Sequence, residues 1–491
     1  MLSSILSAAE PIQAEPARLD SSQWVRTDTL IMCGLLAPAL AMRFWHLARP
    51  AEMVFDERLI IPIARCLLHG SPCLGMHPLL PQWSIVLSIA IFGDRPWSCR
   101  LPSAALGTIL VGVTYLLGRR MLGSRLAATL SATFVLCDGL FLVDSRFALR
   151  EIFYVTFAAW SYLMLFRFAQ TPSPLWRRRI TLLWMALALG LGLSSKLLVP
   201  AVALVFVAAA LAGVMVHAAI RNHSPISELL QQLGGALTLI GSVSALVYLV
   251  VSLPNYWLGS WGGIGDQFAY LIRVIRFNAG LSSGHAYASP WWSWPLMLRP
   301  IVYWTKVPVT GMIARIEALG NPVIWWGALI SIPIVAVQAI RLKCSTYAFI
   351  VIGYAIYVAM WIPIHRYLFV YEYMPALYLA FMALAIVLAQ SWQGKARDWE
   401  HLLLLMSLLP ALVLGLGTVL GSASFFGMTL IYVVLRHYNQ RYAGRWVCLL
   451  FLGGAFAAFL YLFPLWMGLP MRITRYYGRM WLHGPGLANW T

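Results

Sequence analysis

The sequence predicts an all-α polytopic membrane protein with about 13 transmembrane helices, within a range of about 11 to 13, and interfacial helices in two long outer loops. Three observations support this class. The 491-residue chain is 61% hydrophobic and 11% charged, whereas soluble domains average roughly 25% charged residues. The mean hydropathy is +0.77. Many windows hold the roughly 20 apolar residues that cross a bilayer, and mostly short polar stretches separate them.

The predicted spans divide the chain into four regions. We place a cytoplasmic N-terminal segment at 1–27 and a transmembrane catalytic region at 28–253, which includes the first outer loop, 48–100. An aromatic-rich outer loop follows at 254–321, and a second transmembrane region with an outer tail covers 322–491. The spans lie near residues 28–47, 101–118, 126–143, 149–168, 180–194, 197–217, 234–253, 322–340, 346–363, 368–390, 401–418, 422–436 and 446–466.

The net charge of +18 comes from arginines that cluster at the ends of apolar runs. This pattern is typical of cytoplasmic loops that contact anionic membrane lipids, and it argues against nucleic-acid binding. The N-terminus is therefore expected inside and the C-terminus outside. Residues 1–26 are polar and lack an apolar h-region, so we expect no cleavable signal peptide. The cytoplasmic connections carry Arg119, Arg120, Arg125, Arg167, Arg177, Arg178, Arg179, Arg221, Arg341, Lys343, Lys395, Arg397, Arg436, Arg441 and Arg445.

The seven cysteines are too few and too scattered to form a disulfide framework. Cys66, Cys73 and Cys99 fall in the first outer loop, where a single bridge is open and the sequence does not choose the pair. The other four lie in or beside predicted spans and are expected to act as small apolar residues.

Charged residues that could do chemistry gather on the predicted outer side. The stretch 53-MVFDERLI-60 places Asp56 and Glu57 side by side soon after the first span. Each cluster alone has an ordinary explanation, such as a solvated loop, a helix-end ion pair, a snorkelling lysine or an interface tryptophan. Their convergence on one face favours catalysis. The other clusters contain Asp144, Arg146, Arg150 and Glu151; Lys196; His285 and Tyr287; and His365, Arg366 and Glu372.

This combination suits transfer of a group from a lipid-linked phosphate donor. A carboxylate can act as general base on an incoming hydroxyl, while cations such as Lys196 and Arg366 hold the phosphate that leaves. Phosphate is a good leaving group, so no separate acid is required. We expect no obligatory cofactor or metal ion, although Mg²⁺, Mn²⁺ or Ca²⁺ could bind the oxygen ligands of Asp56, Glu57, Glu151 and Glu372. No His/Cys spacing typical of zinc occurs.

The order of several motifs resembles that of the protein O-mannosyltransferases, from about residue 50 to 482. That family belongs to the GT-C glycosyltransferases, which use lipid-phosphate sugars at the non-cytoplasmic face. The motifs in this chain read 55-FDE-57, 77-HPLLPQW-83, 101-LPSAALG-107 after Arg100, 138-DGLFLVDSRFALREIF-153, 285-HAYASPWWSWP-295, 299-RPIVYW-304, 321-NPVIWW-326, 366-RYLFVYEYMPALYL-379 and 463-FPLWMGLPMRITRYYGRMWL-482.

The resemblance implies inverting transfer of mannose from a polyprenyl-phosphate donor to Ser or Thr hydroxyls of secreted proteins. Carried over by motif, Asp56 is the general base with Glu57 beside it, Arg146 contacts the donor phosphate, and Glu151 stands at the second acidic position. Lys196 and Arg366 complete the expected phosphate-binding set. The expected substrate-binding residues are Glu151, His77, His285, Tyr287, Ser289 and Trp292.

The chain also departs from the family pattern. The family commonly reads HPPLGK where this chain has 77-HPLLPQ-82, so a lysine is absent. Leu197 stands where the family often has an aromatic residue. No β-trefoil insertion, as in eukaryotic members, interrupts the second outer loop. This absence favours a bacterial inner membrane, with the active site on the periplasmic or extracellular face.

Two other functions compete with this one. A GT-C transferase on the same scaffold could pass another lipid-linked sugar, such as aminoarabinose, to lipid A or a glycan. The motif at 285–295 and the segment around Arg146 favour the mannosyltransferase instead. A transporter or lipid flippase would place its ionisable residues near the bilayer midplane in broken helices, often within repeats. Here the charges lie at one face and no repeat is evident.

Overall fold

The computed structural model describes residues 24–170, 175–280, 284–482 and 488–490. Most of the predicted cytoplasmic segment, and of the residues considered for a signal peptide, lies at 1–23 and so outside the described residues. The division of the chain into four regions stays a prediction. The helices and strands of the described residues follow in chain order.

The N-terminal part is helical throughout its regular structure. Its helices are α1 (Arg26–Phe44), α2 (Glu57–Leu68), α3 (Leu80–Phe92), α4 (Pro96–Leu122), α5 (Arg125–Cys137), α6 (Gly139–Arg146), α7 (Glu151–Gln170), α8 (Leu175–Leu193), α9 (Leu198–Arg221) and α10 (Ile226–Trp257).

The C-terminal part adds a small sheet to a second set of helices. Two single 3₁₀ turns, Trp291–Ser293 and Val370–Tyr373, also occur. The elements are α11 (Ile264–Ala279), β1 (Ile301–Lys306), β2 (Met312–Ala318), α12 (Pro322–Arg341), α13 (Ser345–Ala359), α14 (Met374–Gln393), α15 (Asp398–Leu416), α16 (Thr418–Tyr438), α17 (Gln440–Met467), β3 (Met471–Arg472) and α18 (Ile473–Tyr477).

The predicted membrane spans all coincide with helices, but the count of 13 is not confirmed. Among the described residues, ten helices are long and apolar enough to cross a bilayer, or eleven if α5 and α6 form one bent span. α13 is only 15 residues long, which is shorter than the roughly 20 residues of a full span. α8 contains three consecutive arginines, Arg177, Arg178 and Arg179, in its first turns. These features separate α8 and α13 from the other predicted spans.

Asp138 ends α5 and begins α6, and the two helices meet at a bend of 58°. Its Oδ1 accepts the N–H groups of Leu140 and Phe141 at 3.0 and 3.2 Å. These are first-turn donors of α6, which have no partner within the helix. Its Oδ2 accepts the N–H of Asn321 at 3.0 Å and the indole N–H of Trp325 at 2.7 Å. One buried carboxylate therefore joins the start of α6 to the start of α12.

α14 is the central helix of the bundle. In the segment Val370–Gln393, which contains it, 94% of an 18-residue apolar window is buried, whereas only 11% of the corresponding window in α16 is buried. α14 packs against α5, α12, α13 and α17. A helix that is apolar on all sides is either central to a large core or faces lipid. α14 is the first case, and α16, with exposed residues such as Phe426 and Leu430, is the second.

The first outer loop folds into α2 and α3, which pack on each other and, through α3, on α4. α3 lies where the sequence predicts an interfacial helix, at 78–93, and its depth in the bilayer stays a prediction. The structure also decides the disulfide. Cys66 and Cys73 are bonded, whereas Cys99 is a buried free thiol. The bridge ties the end of α2 to the segment that leads to α3.

The second outer loop contains strands that the sequence analysis did not predict. β1 and β2 pair antiparallel, with a register irregularity between Val302 and Trp304, and β2 also pairs with β3. The aromatic residues of this loop also suit the headgroup level of a membrane. The signal for a strand was present in 301-IVYWTK-306, because β-branched and aromatic residues are enriched in strands.

Replacing Asp138 with Ala should destabilise the protein by about 3 kcal/mol or more, because four buried N–H donors lose their acceptor. Thermal unfolding of the purified protein in detergent measures the change. The control is Ser124→Ala, which removes the single side-chain cap of α5, a bond of 3.3 Å to the N–H of Ala127, and should cost about 1 kcal/mol. Equal losses in the two variants would contradict the role given to Asp138.

Candidate active site

Asp56 is a carboxylate at the N-terminal end of α2 that remains in contact with solvent. Its side chain is 20% exposed, and its Oδ2 accepts a hydrogen bond of 2.9 Å from Nη2 of Arg150. Burial raises the pKa of Asp56 above its ordinary value, although the nearby cations Arg150 and Lys196 act to lower it. A carboxylate of raised basicity that reaches solvent has the properties of a general base.

Glu57, next in the chain, is completely buried and paired with Arg100. The guanidinium binds the carboxylate through two bonds of 2.8 Å, from Nε to Oε1 and from Nη2 to Oε2. Glu57 also accepts the N–H groups of Val54 and Ala148, at 3.0 and 2.9 Å. These contacts join α2 to the start of α4 and to the segment before α7. A catalytic role for Glu57 stays a prediction, and the contacts favour a positioning role.

Lys196 lies buried between α8 and α9, where it holds two acidic residues together. Its Nζ is 2.8 Å from both carboxylate oxygens of Glu372 and 3.3 Å from Oε1 of Glu151. Arg366 Nη2 approaches the same Glu372 at 3.4 Å. The predicted residues Glu151, Lys196 and Arg366 therefore belong to one network. Glu372, which the sequence places in the same charged cluster as Arg366, joins this network through both cations.

Arg146 is bound to backbone carbonyl groups at the end of α1. Its Nη1 donates to the carbonyl groups of Met42 and Trp45 at 2.6 and 2.8 Å. Carbonyl groups at the end of a helix lack partners within it, so Arg146 closes the end of α1. The arginine at Asp56 is Arg150, four residues later. From sequence, the two arginines differ by one helical turn, and nothing in the motif chooses between them. Phosphate binding by Arg146 stays a prediction that these contacts do not favour.

His77 is half-buried in the segment between α2 and α3. Burial, followed by the charges of three cations, lowers the pKa of His77 well below its ordinary value. The imidazole is therefore neutral at physiological pH and can exchange hydrogen bonds without carrying charge. Its backbone carbonyl accepts a bond of 2.6 Å from the hydroxyl of Tyr270 in α11. The three cations are Arg150, Lys196 and Arg366.

The predicted outer-loop motif reaches the site through His285. The centroid of its ring lies 5.0 Å from that of Phe369 and 6.4 Å from that of Phe55, the residue before Asp56. The N–H of Tyr287 donates to His285 Nδ1 at 3.2 Å, and the tyrosine ring is 5.9 Å from the imidazole. His285, which is exposed, therefore contacts the residue next to the general-base candidate, and the half-buried Tyr287 contacts His285.

Ser289 and Trp292 have structural surroundings of a different kind. The Ser289 Oγ accepts the indole N–H of Trp294 at 3.0 Å, and its N–H donates to the carbonyl of Leu368 at 2.9 Å. The serine thus fastens the loop rather than facing the charged network. Trp292 is 51% exposed. Substrate contacts of both residues stay predictions.

An apolar cavity of about 410 Å³ lies next to this network, between α9, α10 and α11. Its lining includes Leu197, the residue after Lys196, together with Leu193, Leu204, Leu249 and Phe268. Such a surface suits a hydrocarbon chain, because it offers van der Waals contact and almost no polar groups. A ligand with a charged head at Lys196 and an apolar tail would match both parts.

Within the described residues, no three side chains of His, Cys, Asp or Glu converge in the manner of a metal site. The carboxylates that the sequence offered for a cation have other partners here. Glu57 binds Arg100, and Glu151 and Glu372 bind Lys196. The expectation that no metal ion is obligatory stays a prediction.

Comparison with solved structures shows the fold. The S. cerevisiae protein O-mannosyltransferase Pmt1-Pmt2 complex bound to the sugar donor contains a chain that superposes with a TM-score of 0.77 at 14% identity, over 94% of this chain and 93% of that one. ArnT from Cupriavidus metallidurans bound to undecaprenyl phosphate gives a TM-score of 0.53 at 15% identity, over 93% and 78%. The molecule is thus an integral membrane protein with the GT-C glycosyltransferase fold.

Sequence comparison identifies the family. A model described as dolichyl-phosphate-mannose-protein mannosyltransferase matches residues 76–250, and one described as the C-terminal four TMM region of protein-O-mannosyltransferase matches 266–484. The polyprenol-phosphate-mannose–protein mannosyltransferase of Mycobacterium tuberculosis is 24% identical over 94% of this chain and 91% of that protein. Its counterpart in Mycolicibacterium smegmatis is 26% identical over 63% and 71%. The chain belongs to the protein O-mannosyltransferase family.

Replacing Glu57 with Gln should destabilise the protein by about 3 kcal/mol or more, because Arg100 would be left buried without a counter-charge. Asp56→Asn is the matched control. Its partly exposed ion pair should contribute less than about 1 kcal/mol. Thermal unfolding in detergent compares the two. If both variants lost stability equally, the assignment of Glu57 to positioning and Asp56 to the reacting site would be wrong.

Proposed function

We propose that this protein transfers mannose from a polyprenyl-phosphate donor to Ser or Thr hydroxyls of secreted proteins, with inversion at the sugar. The observation that carries the proposal is the juxtaposition of Asp56, a solvent-reaching carboxylate bound to Arg150, with the Lys196 network and the apolar cavity. The named mycobacterial relatives and the family models support the same donor and acceptor class.

In the proposed reaction Asp56 removes the proton from the acceptor hydroxyl. The oxygen attacks C1 of mannose from the face opposite the phosphate, the bond from C1 to the phosphate oxygen breaks, and the polyprenyl phosphate leaves with the electron pair. A single displacement of this kind needs one base and a cradle for the leaving anion. The raised pKa of Asp56 increases its ability to accept the proton.

The cations at the site suit the leaving phosphate. Arg150, Lys196 and Arg366 form ion pairs with carboxylates in the structure. Arginine and lysine are the side chains that bind phosphate oxygens most strongly, because the hydrogen bonds are charge-assisted. Arrival of the donor would let Arg366, the most accessible of the three, exchange part of its carboxylate contact for phosphate.

The apolar cavity that Leu197 helps to line suits the isoprenoid chain of the donor. Leu197 follows Lys196 directly in sequence, and the lining also includes further leucines and Phe268. A lipid-linked sugar bound this way would keep its tail against α9, α10 and α11 and present its phosphate to the cations. The same arrangement explains why a soluble sugar nucleotide is a poor match, since it offers nothing to the apolar surface.

The non-cytoplasmic face is the proposed location of the site. The Cys66–Cys73 disulfide lies in the first outer loop, and disulfides persist in oxidising compartments outside the cytoplasm. At the opposite end of α1 and α4, Asp28 is paired with Arg119 and Arg125, as expected for cytoplasmic helix ends rich in arginine. We propose the inner membrane of a bacterium as the compartment.

The competing transfer of an aminoarabinose-like sugar is less well supported. The superposition on ArnT, at a TM-score of 0.53, is weaker than that on the mannosyltransferase complex, at 0.77. A transporter is disfavoured because the charged network lies at one end of the bundle, together with the outer loops, rather than at its middle.

The purified protein in lipid should transfer mannose from polyprenyl-phosphate mannose to a peptide containing Ser and Thr. Asp56→Asn should reduce the rate by about 10²–10⁴-fold while donor binding persists, because the amide cannot accept the proton. The control is Asp398→Asn, the same change in a half-exposed pair with Arg436 away from the site, which should retain activity. Failure of the wild type with this peptide, combined with use of another lipid-linked sugar, would refute the mannosyl assignment.

The pH dependence of kcat tests the base directly. Asp56 must be ionised, so activity should fall as the pH decreases through its pKa, and burial places that pKa above the ordinary value of about 3.9. Arg150 lowers the pKa of Asp56, so Arg150→Gln should move the acidic limb to higher pH. Rates of the wild type and of Arg150→Gln, measured across pH at saturating donor and acceptor, would give the acidic limb of each protein. An acidic limb unmoved by Arg150→Gln would contradict the assignment.

A further inference from the structure

Phe55, the residue before Asp56, has an unusual backbone conformation. Its φ is 42°, in the left-handed region that bulky residues rarely adopt and that costs about 1–3 kcal/mol. Such a conformation persists only where the surroundings hold it. Because Asp56 follows directly in the chain, the direction of its carboxylate depends on whatever holds Phe55.

The ring of Phe55 is held by a cluster of aromatic side chains. It stacks on Tyr303 with the planes 9° apart and the centroids 4.7 Å apart. The rings of Phe369 and Tyr371 contact it edge to face, at 6.1 and 6.3 Å. Of these contacts the stack is the closest, and aromatic pairs of this geometry contribute beyond the area they bury. Tyr303 is therefore the main support of the Phe55 ring.

Tyr303 is itself fixed by two features. It lies at the register irregularity of the β1–β2 hairpin, between Val302 and Trp304, and bulges of this kind redirect a side chain. Its hydroxyl donates a bond of 2.6 Å to Oδ1 of Asp144 in α6. The tyrosine ring therefore cannot withdraw from Phe55 without breaking a short hydrogen bond to a helix of the bundle.

The position of Asp144 is energetically unfavourable for a carboxyl group. Asp144 is completely buried, and its Oδ2 has no hydrogen-bond partner among the described residues. A buried carboxyl group with an unmatched oxygen lowers stability, so structural support alone does not account for it. The bond to Tyr303 is the contact by which Asp144 can act on the site.

We propose that Tyr303 and Asp144 are positioning residues for the transfer step. The bond between them fixes the Tyr303 ring, the ring holds Phe55 in its left-handed conformation, and Phe55 aims Asp56 at the acceptor hydroxyl. The inference rests on the proposed function, in which Asp56 is the base. It also assigns a function to the β1–β2 hairpin, because β1 supplies Tyr303.

Tyr303→Phe tests the chain of contacts with the ring retained. We expect kcat to fall roughly 10-fold, because a small misplacement of a catalytic group is enough to cost that much, while KM for donor and peptide stays within about 2-fold. The control is Tyr162→Phe, which removes a buried tyrosine bond of the same 2.6 Å length, to Tyr357, about three helical turns along α7 from Glu151. It should leave kcat unchanged.

Variants of Asp144 separate positioning from general destabilisation. Asp144→Asn keeps an oxygen that can accept the Tyr303 hydroxyl, so it should retain most of kcat. Asp144→Ala removes the acceptor and should resemble Tyr303→Phe. The double variant Asp144→Ala, Tyr303→Phe should be no slower than either single variant, because both remove the same bond. Additive losses, or a kcat for Tyr303→Phe equal to that of Tyr162→Phe, would overturn the proposal.

Amide hydrogen exchange of residues 54–58 gives a readout that does not depend on activity. Exchange there should be faster in Tyr303→Phe than in the wild type and unchanged in Tyr162→Phe, because release of Phe55 loosens this turn. If the wild type transferred no mannose, the proposed function would fail while the exchange data would still decide whether Tyr303 holds the segment. Equal exchange in all three proteins would overturn the positioning role.

Discussion

The buried ion pair of Glu57 and Arg100 is the interaction on which the site depends. It joins α2 to α4, and through the N–H of Ala148 it also fixes the segment that leads to Arg150. Asp56 directly precedes Glu57, and Arg150 lies two residues after Ala148. The Glu57 carboxylate therefore holds the backbone close to both members of the Asp56–Arg150 pair. A buried pair of this kind is weak support for stability in itself, but loss of one partner is strongly unfavourable. The acidic pair in 55-FDE-57 therefore consists of a reacting residue, Asp56, and a positioning residue, Glu57.

Balanced charge makes such a site tolerable at the end of an apolar bundle. Ionised side chains cost much free energy away from water unless they are paired. Here each cation contacts at least one carboxylate, and two carboxylates share Lys196. An anionic phosphate would enter a network that already holds the cations in place, so little reorganisation is needed when charge develops on the leaving group. The network consists of Asp56, Glu151, Glu372, Arg150, Lys196 and Arg366.

Much of this could be predicted from sequence, and the remainder has identifiable physical causes. Composition and hydropathy predicted the membrane class, and motif order predicted the family and the GT-C fold. The choice between Arg146 and Arg150 depends on where α6 ends and how the chain turns before α7, which charge spacing does not report. Arg100, the partner of Glu57, lies 43 residues away in the chain, so the sequence does not show that Glu57 is buried and paired. The hairpin was missed because its aromatic residues also suit a membrane interface.

The anomeric configuration of the product tests the central claim most directly. A single displacement assisted by one base inverts C1, whereas a covalent glycosyl–enzyme intermediate would retain it. NMR of the mannosylated peptide, compared with the donor of known configuration, distinguishes the two. The account predicts that the configuration at C1 in the product is opposite to that in the polyprenyl-phosphate donor. Retention would contradict it, because Asp56 would then have to act as a nucleophile or not at all.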